Sequence, residues 1–152
     1  MNLRTKNRRA FSLIELVIVI IIMGVISAIA IPRMVRGAEG ADVTALQADL
    51  AVLRGAIEMY RYEHGIWPDP AQFQAQLTGT TIADGTPDAM GQFGPYLVKM
   101  PPLKTGAQKD EVAVKGIMNA TAQAADVAAG FGWLYNNTNG GIWANDVDHL
   151  DK

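Results

Sequence analysis

Arg8-Arg9-Ala10-Phe11-Ser12-Leu13-Ile14-Glu15-Leu16 opens an apolar run that extends to Ile31, and its reading decides the fold. Between residues 11 and 31 the polar side chains are Ser12, Glu15 and Ser27. At 1.5 Å per residue such a helix reaches about 30 Å, roughly the thickness of a bilayer core. The residues before it include Arg4, Lys6, Arg8 and Arg9 and no acid. By the positive-inside rule that end stays in the cytoplasm and the C-terminal bulk crosses the membrane.

Glu15 is out of place in an ordinary membrane anchor. An acid at the bilayer centre costs about 2.5–3.5 kcal/mol even on insertion scales. Glu15, however, lies only one turn into the helix, where the N-terminus favours negative charge by about 0.3–1 kcal/mol. Chemistry alone leaves two readings: a tolerated interfacial carboxylate, or a carboxylate that awaits a cation. Cleavage after Ala10 supplies such a cation, because the new α-amino group of Phe11 is protonated near neutral pH.

The basic leader, the segment Phe11-Ser12-Leu13-Ile14-Glu15 and the hydrophobic helix resemble the class III signal peptide of type IV pilins and type II secretion pseudopilins. Pro32 also falls where many members carry a helix-disturbing proline. The resemblance implies that a prepilin peptidase cuts between Ala10 and Phe11 and methylates the Phe11 amine. It further implies that Glu15 pairs with the Phe11 amine of a neighbouring subunit during filament assembly, with copies of the chain, other pseudopilins and an inner-membrane assembly platform as partners. One departure is plain: the family usually has Gly before the cut, and this chain has Ala10. A rival reading uses the same residues. Ala28-Ile29-Ala30 has the small-x-small form of an ordinary secretory cleavage site, and a cut there releases a ligand-binding domain that starts at Ile31.

Composition narrows the remainder. The formal charge is −2, and loss of the four leader cations moves it to −6. An acidic head is a poor match for nucleic acid, which calls for a basic patch. The chain has no cysteine. An exported domain without disulfides needs a core of its own, oligomer contacts or a bound ion. Many type IVa pilins close a C-terminal loop with a disulfide, so the resemblance leans toward the pseudopilin branch.

Three regions follow: a leader over residues 1–10, a transmembrane helix and stem over 11–40, and a periplasmic head over 41–152. Pro32 lacks the N–H that Ala28 would receive, which predicts a helix kink or local melting rather than a clean end at Ile31. Gly37 and Gly40 weaken the same stretch. Over residues 41–63, Val43, Leu46, Leu50, Leu53, Ile57 and Tyr60 recur at spacings of three and four, a stripe that docks on a sheet. His64-Gly65 predicts the stop, with Gly65 in the left-handed cap. Trp67 is expected to cap the core where helix meets sheet. A short helix near residues 71–77 precedes a Gly-, Thr- and Asp-rich loop.

The C-terminal third reads as a β-meander. Tyr96-Leu97-Val98 and Glu111-Val112-Ala113-Val114 are strand candidates. Gly132-Trp133-Leu134-Tyr135 and Gly141-Ile142-Trp143-Ala144 flank the turn sequence Asn136-Asn137-Thr138-Asn139-Gly140 and predict a hairpin. The expected class is α+β and pilin-like: a long N-terminal transmembrane helix packed on a small antiparallel sheet. Gly94-Pro95-Tyr96-Leu97, Pro101 and the residues 132–135 loosely resemble the head of the major pseudopilin.

No enzyme chemistry is evident. Both serines lie in the apolar run, there is no cysteine, and His64 and His149 are isolated. No phosphate loop, zinc spacing or paired-carboxylate motif is present. The resemblance raises calcium, which major pseudopilins bind through a C-terminal loop. Asn145, Asp146, Asp148 and Asp151 are oxygen ligands of the right type, set against the alternative of a frayed, solvated tail. The expected function is a structural subunit of a type II secretion pseudopilus-like filament, with a type IV pilus or competence pilin as the alternative.

Overall fold

In the computed structural model residues 12–151 are described. Helix α1 (Leu13–His64) is followed by α2 (Phe73–Thr78), β1 (Val114–Gly116), β2 (Trp133–Tyr135) and β3 (Ile142–Ala144). The chain divides into two compact units, one ending at Gly40 and one beginning at Ala41. The helix does not stop at Ile31: residues 32–40 are helical and continue into the head.

The head is organised by the stripe on the second half of α1. Leu46, Leu50, Leu53, Ile57 and Tyr60 are all fully buried. They form one cluster with Phe73 and Leu77 of α2, with Leu97, Met100 and Leu103, and with Trp133, Tyr135, Ile142 and Ala144 of the sheet. Spacing of three and four places these side chains along one face, so a single helix closes one whole side of the core. Burying each large apolar side chain contributes about 1.5–3 kcal/mol relative to leaving it in water. The helix ends as its sequence dictates: Gly65 has φ +72°, and its N–H donates to the Arg61 carbonyl at 2.8 Å. Trp67 packs against the cluster edge, and the Arg61 guanidinium lies 4.1 Å from its ring centre.

The hairpin forms as expected. β2 and β3 are antiparallel, with Trp133 opposite Ala144 and Tyr135 opposite Ile142. The sheet as a whole is mixed rather than antiparallel, because β1 runs parallel to β2 with Val114 opposite Trp133. Parallel pairing needs a crossover of about a dozen residues or more, and residues 117–132 provide it. The crossover is held down by polar contacts. Asn136 Nδ2 donates to the Asn119 carbonyl at 2.7 Å, and Asn139 Nδ2 to the Ala120 carbonyl at 2.8 Å. Lys115 Nζ donates to the Asp126 carbonyl at 2.6 Å.

Tyr96-Leu97-Val98 is not a strand. The N–H groups of Tyr96 and Leu97 both donate to the Leu77 carbonyl at 2.9 Å, so this segment is tied to the end of α2. The second strand candidate shifts toward the C-terminus. The Glu111 carbonyl accepts from the Leu103 N–H at 2.9 Å, which ties Glu111 to residue 103 rather than to β2, and pairing with β2 begins at Val114.

Candidate functional site

Two places drew attention in the sequence: the start of α1 and the acidic C-terminal loop. Ala10 and Phe11 lie outside the described residues. Ser12 and Glu15 do not. The Ser12 N–H donates to Glu15 Oε2 at 2.8 Å, and the Leu16 N–H donates to the Ser12 carbonyl at 3.3 Å. This is the reciprocal half of a capping box: a carboxylate three residues in reaches back to an amide that the helix cannot satisfy. The signature Ser-x-x-Glu was legible in Ser12-Leu13-Ile14-Glu15 and was missed. Glu15 therefore has a structural task of its own in the isolated subunit. It remains at the surface, in the first turn of α1, where a cation from outside can reach it.

Beyond Glu15 the helix carries no cover of its own. Leu13–Ile31 is a 19-residue segment long and apolar enough to cross a membrane. Its large side chains, Ile18, Ile22 and Ile26 among them, are exposed. A helix apolar on every side needs lipid or other helices around it. Pro32 lies within the helix, immediately after this segment.

In the C-terminal loop the candidate oxygen ligands Asn145 and Asp146 make contacts within the fold. Asn145 is fully buried; its Nδ2 donates to the carbonyls of Ala128 and Phe131, both at 2.5 Å, and its Oδ1 accepts from the Ala128 N–H at 3.1 Å. Asn145 is a clamp on the crossover. Asp146 is buried too, and its Oδ2 lies 2.7 Å from His149 Nδ1 while its Oδ1 accepts from the Asp148 N–H at 3.3 Å. Burial disfavours the Asp146 carboxylate, but the Thr105 hydroxyl beside it, His149 and the Asp148 amide outweigh that and hold its carboxyl below the usual range. Asp148 and Asp151 follow in and after the short 3₁₀ turn Val147–His149. Among the described residues no three acidic or histidine side chains gather to hold a metal ion. The Asn145 Oδ1 and both Asp146 carboxylate oxygens each accept from an N–H group within the fold.

His64, isolated in sequence, is a hub in space. Its Nε2 lies 2.9 Å from Thr81 Oγ1 and 3.1 Å from the Tyr96 hydroxyl oxygen, and its ring centre is 4.3 Å from that of Tyr60. The Tyr96 hydroxyl donates to Glu63 Oε2 at 2.6 Å. Burial, then the hydrogen bond to Glu63 and its negative charge, push the Tyr96 phenol well above its usual range. Tyr60 is raised as well, first by burial and then by the charges of Asp84 and Asp69. These contacts fasten the loop after α2 to the end of α1. Nothing in them resembles a nucleophile activated by a base.

The fold and the start of α1 together define a class: a small α+β head on an apolar N-terminal helix that opens with a processing motif. Residues 5–31 match the prokaryotic N-terminal methylation motif. By that motif and by its relatives the chain is similar to type II secretion pseudopilins, among them the type II secretion system core protein G of several bacteria. It is 30% identical to that protein of Klebsiella pneumoniae over 79 residues, covering 52% of this chain and 56% of the relative. Against the protein of Pseudomonas aeruginosa it is 25% identical over 99 residues, covering 65% of this chain and 69% of the relative. Against that of Escherichia coli K12 it is 31% identical over 68 residues, covering 45% and 47%. The chain thus spans little more than half the length of the Klebsiella relative it matches. No solved structure matches.

Proposed function

We propose that this chain is a structural subunit of a type II secretion pseudopilus-like filament and has no enzymatic activity. The observation that carries the reading is a methylation motif at the head of an apolar helix that no other described residue covers. Before assembly, residues 13–31 anchor the subunit in the inner membrane, with the N-terminus cytoplasmic and the head periplasmic. A prepilin peptidase cuts between Ala10 and Phe11, and the Phe11 amine is methylated. Extraction from lipid by the assembly platform is coupled to packing of the stem against other stems, because the apolar surface has to be covered in one way or the other. Residues 33–40, bracketed by Pro32 and Gly40, are where the stem loosens as it packs.

Glu15 has a double task in this scheme. In the subunit it caps α1 through the Ser12 amide. In the filament it neutralises the Phe11 amine of a neighbour, since an unpaired charge in a low-dielectric core costs several kcal/mol. The two tasks separate by substitution. Glutamine still accepts a hydrogen bond at this capping position but carries no charge. Glu15→Gln is therefore expected to insert in the membrane and to be processed normally, as judged by the mass of a mature chain that begins at Phe11. It is expected to form no filaments by sedimentation or electron microscopy. Filaments of normal yield from Glu15→Gln would defeat the pairing role, and a mature chain that begins at Ile31 would defeat the anchored subunit altogether.

A further inference from the structure

The head carries a groove and a loop of opposite character on different parts of its surface. The groove, about 420 Å³, lies between the α1 face at Asp49 and Val52 and the segment that contains Val98, Lys99 and Lys104. Val98 is 99% exposed and Val52 is also open to solvent. Neither Lys99 nor Lys104 has an ion-pair partner among the described residues. Asp49 also lines the groove, with a buried Oδ2 that has no hydrogen-bond partner. The groove is thus mostly apolar, with Lys99 and Lys104 outnumbering one acid, Asp49, at its rim.

The loop after α2 reads as its complement. Ile82 and Met90 are exposed, Met90 at 89%, and Asp84 and Asp88 lie between them. Each carboxylate accepts a backbone N–H two residues on, Thr86 for Asp84 and Met90 for Asp88, both at 2.8 Å, so the acids are fixed in tight turns. The loop is fastened near the C-terminal end of α1, where the Tyr60 hydroxyl donates to the Gly85 carbonyl at 3.2 Å. Tyr60 lies beyond Val52 by about 12 Å along the helix axis. Groove and loop are therefore offset along α1. A copy displaced along that axis brings its loop to its neighbour's groove, and the contact repeats without closing. Heterologous contacts of this kind generate helical filaments.

We infer that the groove at Val52, Val98, Lys99 and Lys104 receives the loop at Ile82, Asp84, Asp88 and Met90 of a second copy of this chain. The contact rests on the filament reading above and assigns it a head-to-head interface, apolar at its centre and charge-matched at its rim. The test uses the full chain, assembled with its secretion machinery, in which Val98→Cys and Met90→Cys are combined. The natural chain has no cysteine to interfere. Mild oxidation is expected to give a ladder of linked multimers from the double variant and none from either single variant. Filaments of the double variant that remain monomeric on oxidation overturn the contact and leave the filament reading standing. A linked dimer from Val98→Cys alone also overturns it, because that needs a groove facing a groove. A natural chain that forms no filaments overturns the filament reading and this contact with it. In a second arm, Lys99→Glu with Lys104→Glu is expected to cut filament yield about tenfold or more. Adding Asp84→Lys and Asp88→Lys to that chain is expected to restore it. Failure of that rescue, with the head folded by circular dichroism, overturns the charge pairing.

Discussion

One helix contains two apolar surfaces of opposite fate. Along residues 13–31 the large apolar side chains are exposed, whereas along 41–64 Leu46, Leu50, Leu53, Ile57 and Tyr60 are fully buried. The difference lies in spacing. In the second region the apolar residues recur every three or four positions and polar ones fill the rest, so the helix has an inside and an outside. In the first region they surround the axis. A one-sided stripe is satisfied by the chain's own sheet. A helix that is apolar all round is left uncovered by the described residues. Hydropathy picks out the first region; periodicity is what reveals the covered stripe of the second.

The sharpest way to break this comparison is to remove methyl groups from the buried half. Ile57 is 1% exposed and packs in the head cluster. Ile57→Ala leaves a cavity that the surroundings fill only in part, and it is expected to lower the unfolding free energy of the head by about 2–5 kcal/mol. All three tryptophans, Trp67, Trp133 and Trp143, lie in the head. Urea unfolding of the full chain in detergent, followed by their fluorescence, therefore reports on that region. An unchanged midpoint would mean that the stripe is not the core.

A smaller effect is expected at the polar edge of the same core. Asp146 has a lowered carboxyl pKa in the folded head. A group of this kind contributes its stability above its unfolded value, near pH 4, and loses it as the pH falls through the lower folded value. Asp146→Asn removes the charge that faces His149 and is expected to cost about 1–3 kcal/mol at neutral pH. The variant is also expected to lose less stability than the natural head on going below about pH 4. Parallel acid limbs in urea titrations of the two proteins would show that Asp146 carries no such linkage.

Much of this architecture was legible because short-range patterns fix it. The stripe from Leu46 to Tyr60, the stop at Gly65 and the hairpin around residues 136–140 each follow from a few adjacent side chains, and the structure has all three, though Val43 at the head of the expected stripe is not in the core. The direction of β1 was not legible. Whether Val114 meets its partner strand parallel or antiparallel depends on the path of residues 117–132, and that path is set by contacts from Asn136 and Asn145, both 17 positions from their partners Asn119 and Ala128. Asparagine in a turn sequence or an acidic tail gives no sign that its amide will be buried as a clamp. Tyr96-Leu97-Val98 misled for a related reason: β propensity was present, but the nearest unsatisfied carbonyl was Leu77. At the start of α1, recognition of the motif obscured a simpler signal. Ser12-x-x-Glu15 is a capping pattern whatever family carries it.

The finest test of the contrast within α1 applies one chemical change to its other half. Ile22 and Ile57 are the same residue on the same helix, 52% and 1% exposed. Ile22→Ala creates no cavity in the head, so its tryptophan-monitored unfolding is expected to change by less than about 0.5 kcal/mol. What it removes is apolar surface owed to lipid, which weakens insertion by about 0.5 kcal/mol or less on transmembrane scales. Alkaline carbonate extraction of membranes that carry the variant is expected to release no more protein than for the natural chain, since one isoleucine is a small part of that segment. If Ile22→Ala instead destabilised the head as much as Ile57→Ala does, the stem would be a folding partner of the head. The exposed and buried halves of α1 would then share one core, and the spacing argument that separates them would fail.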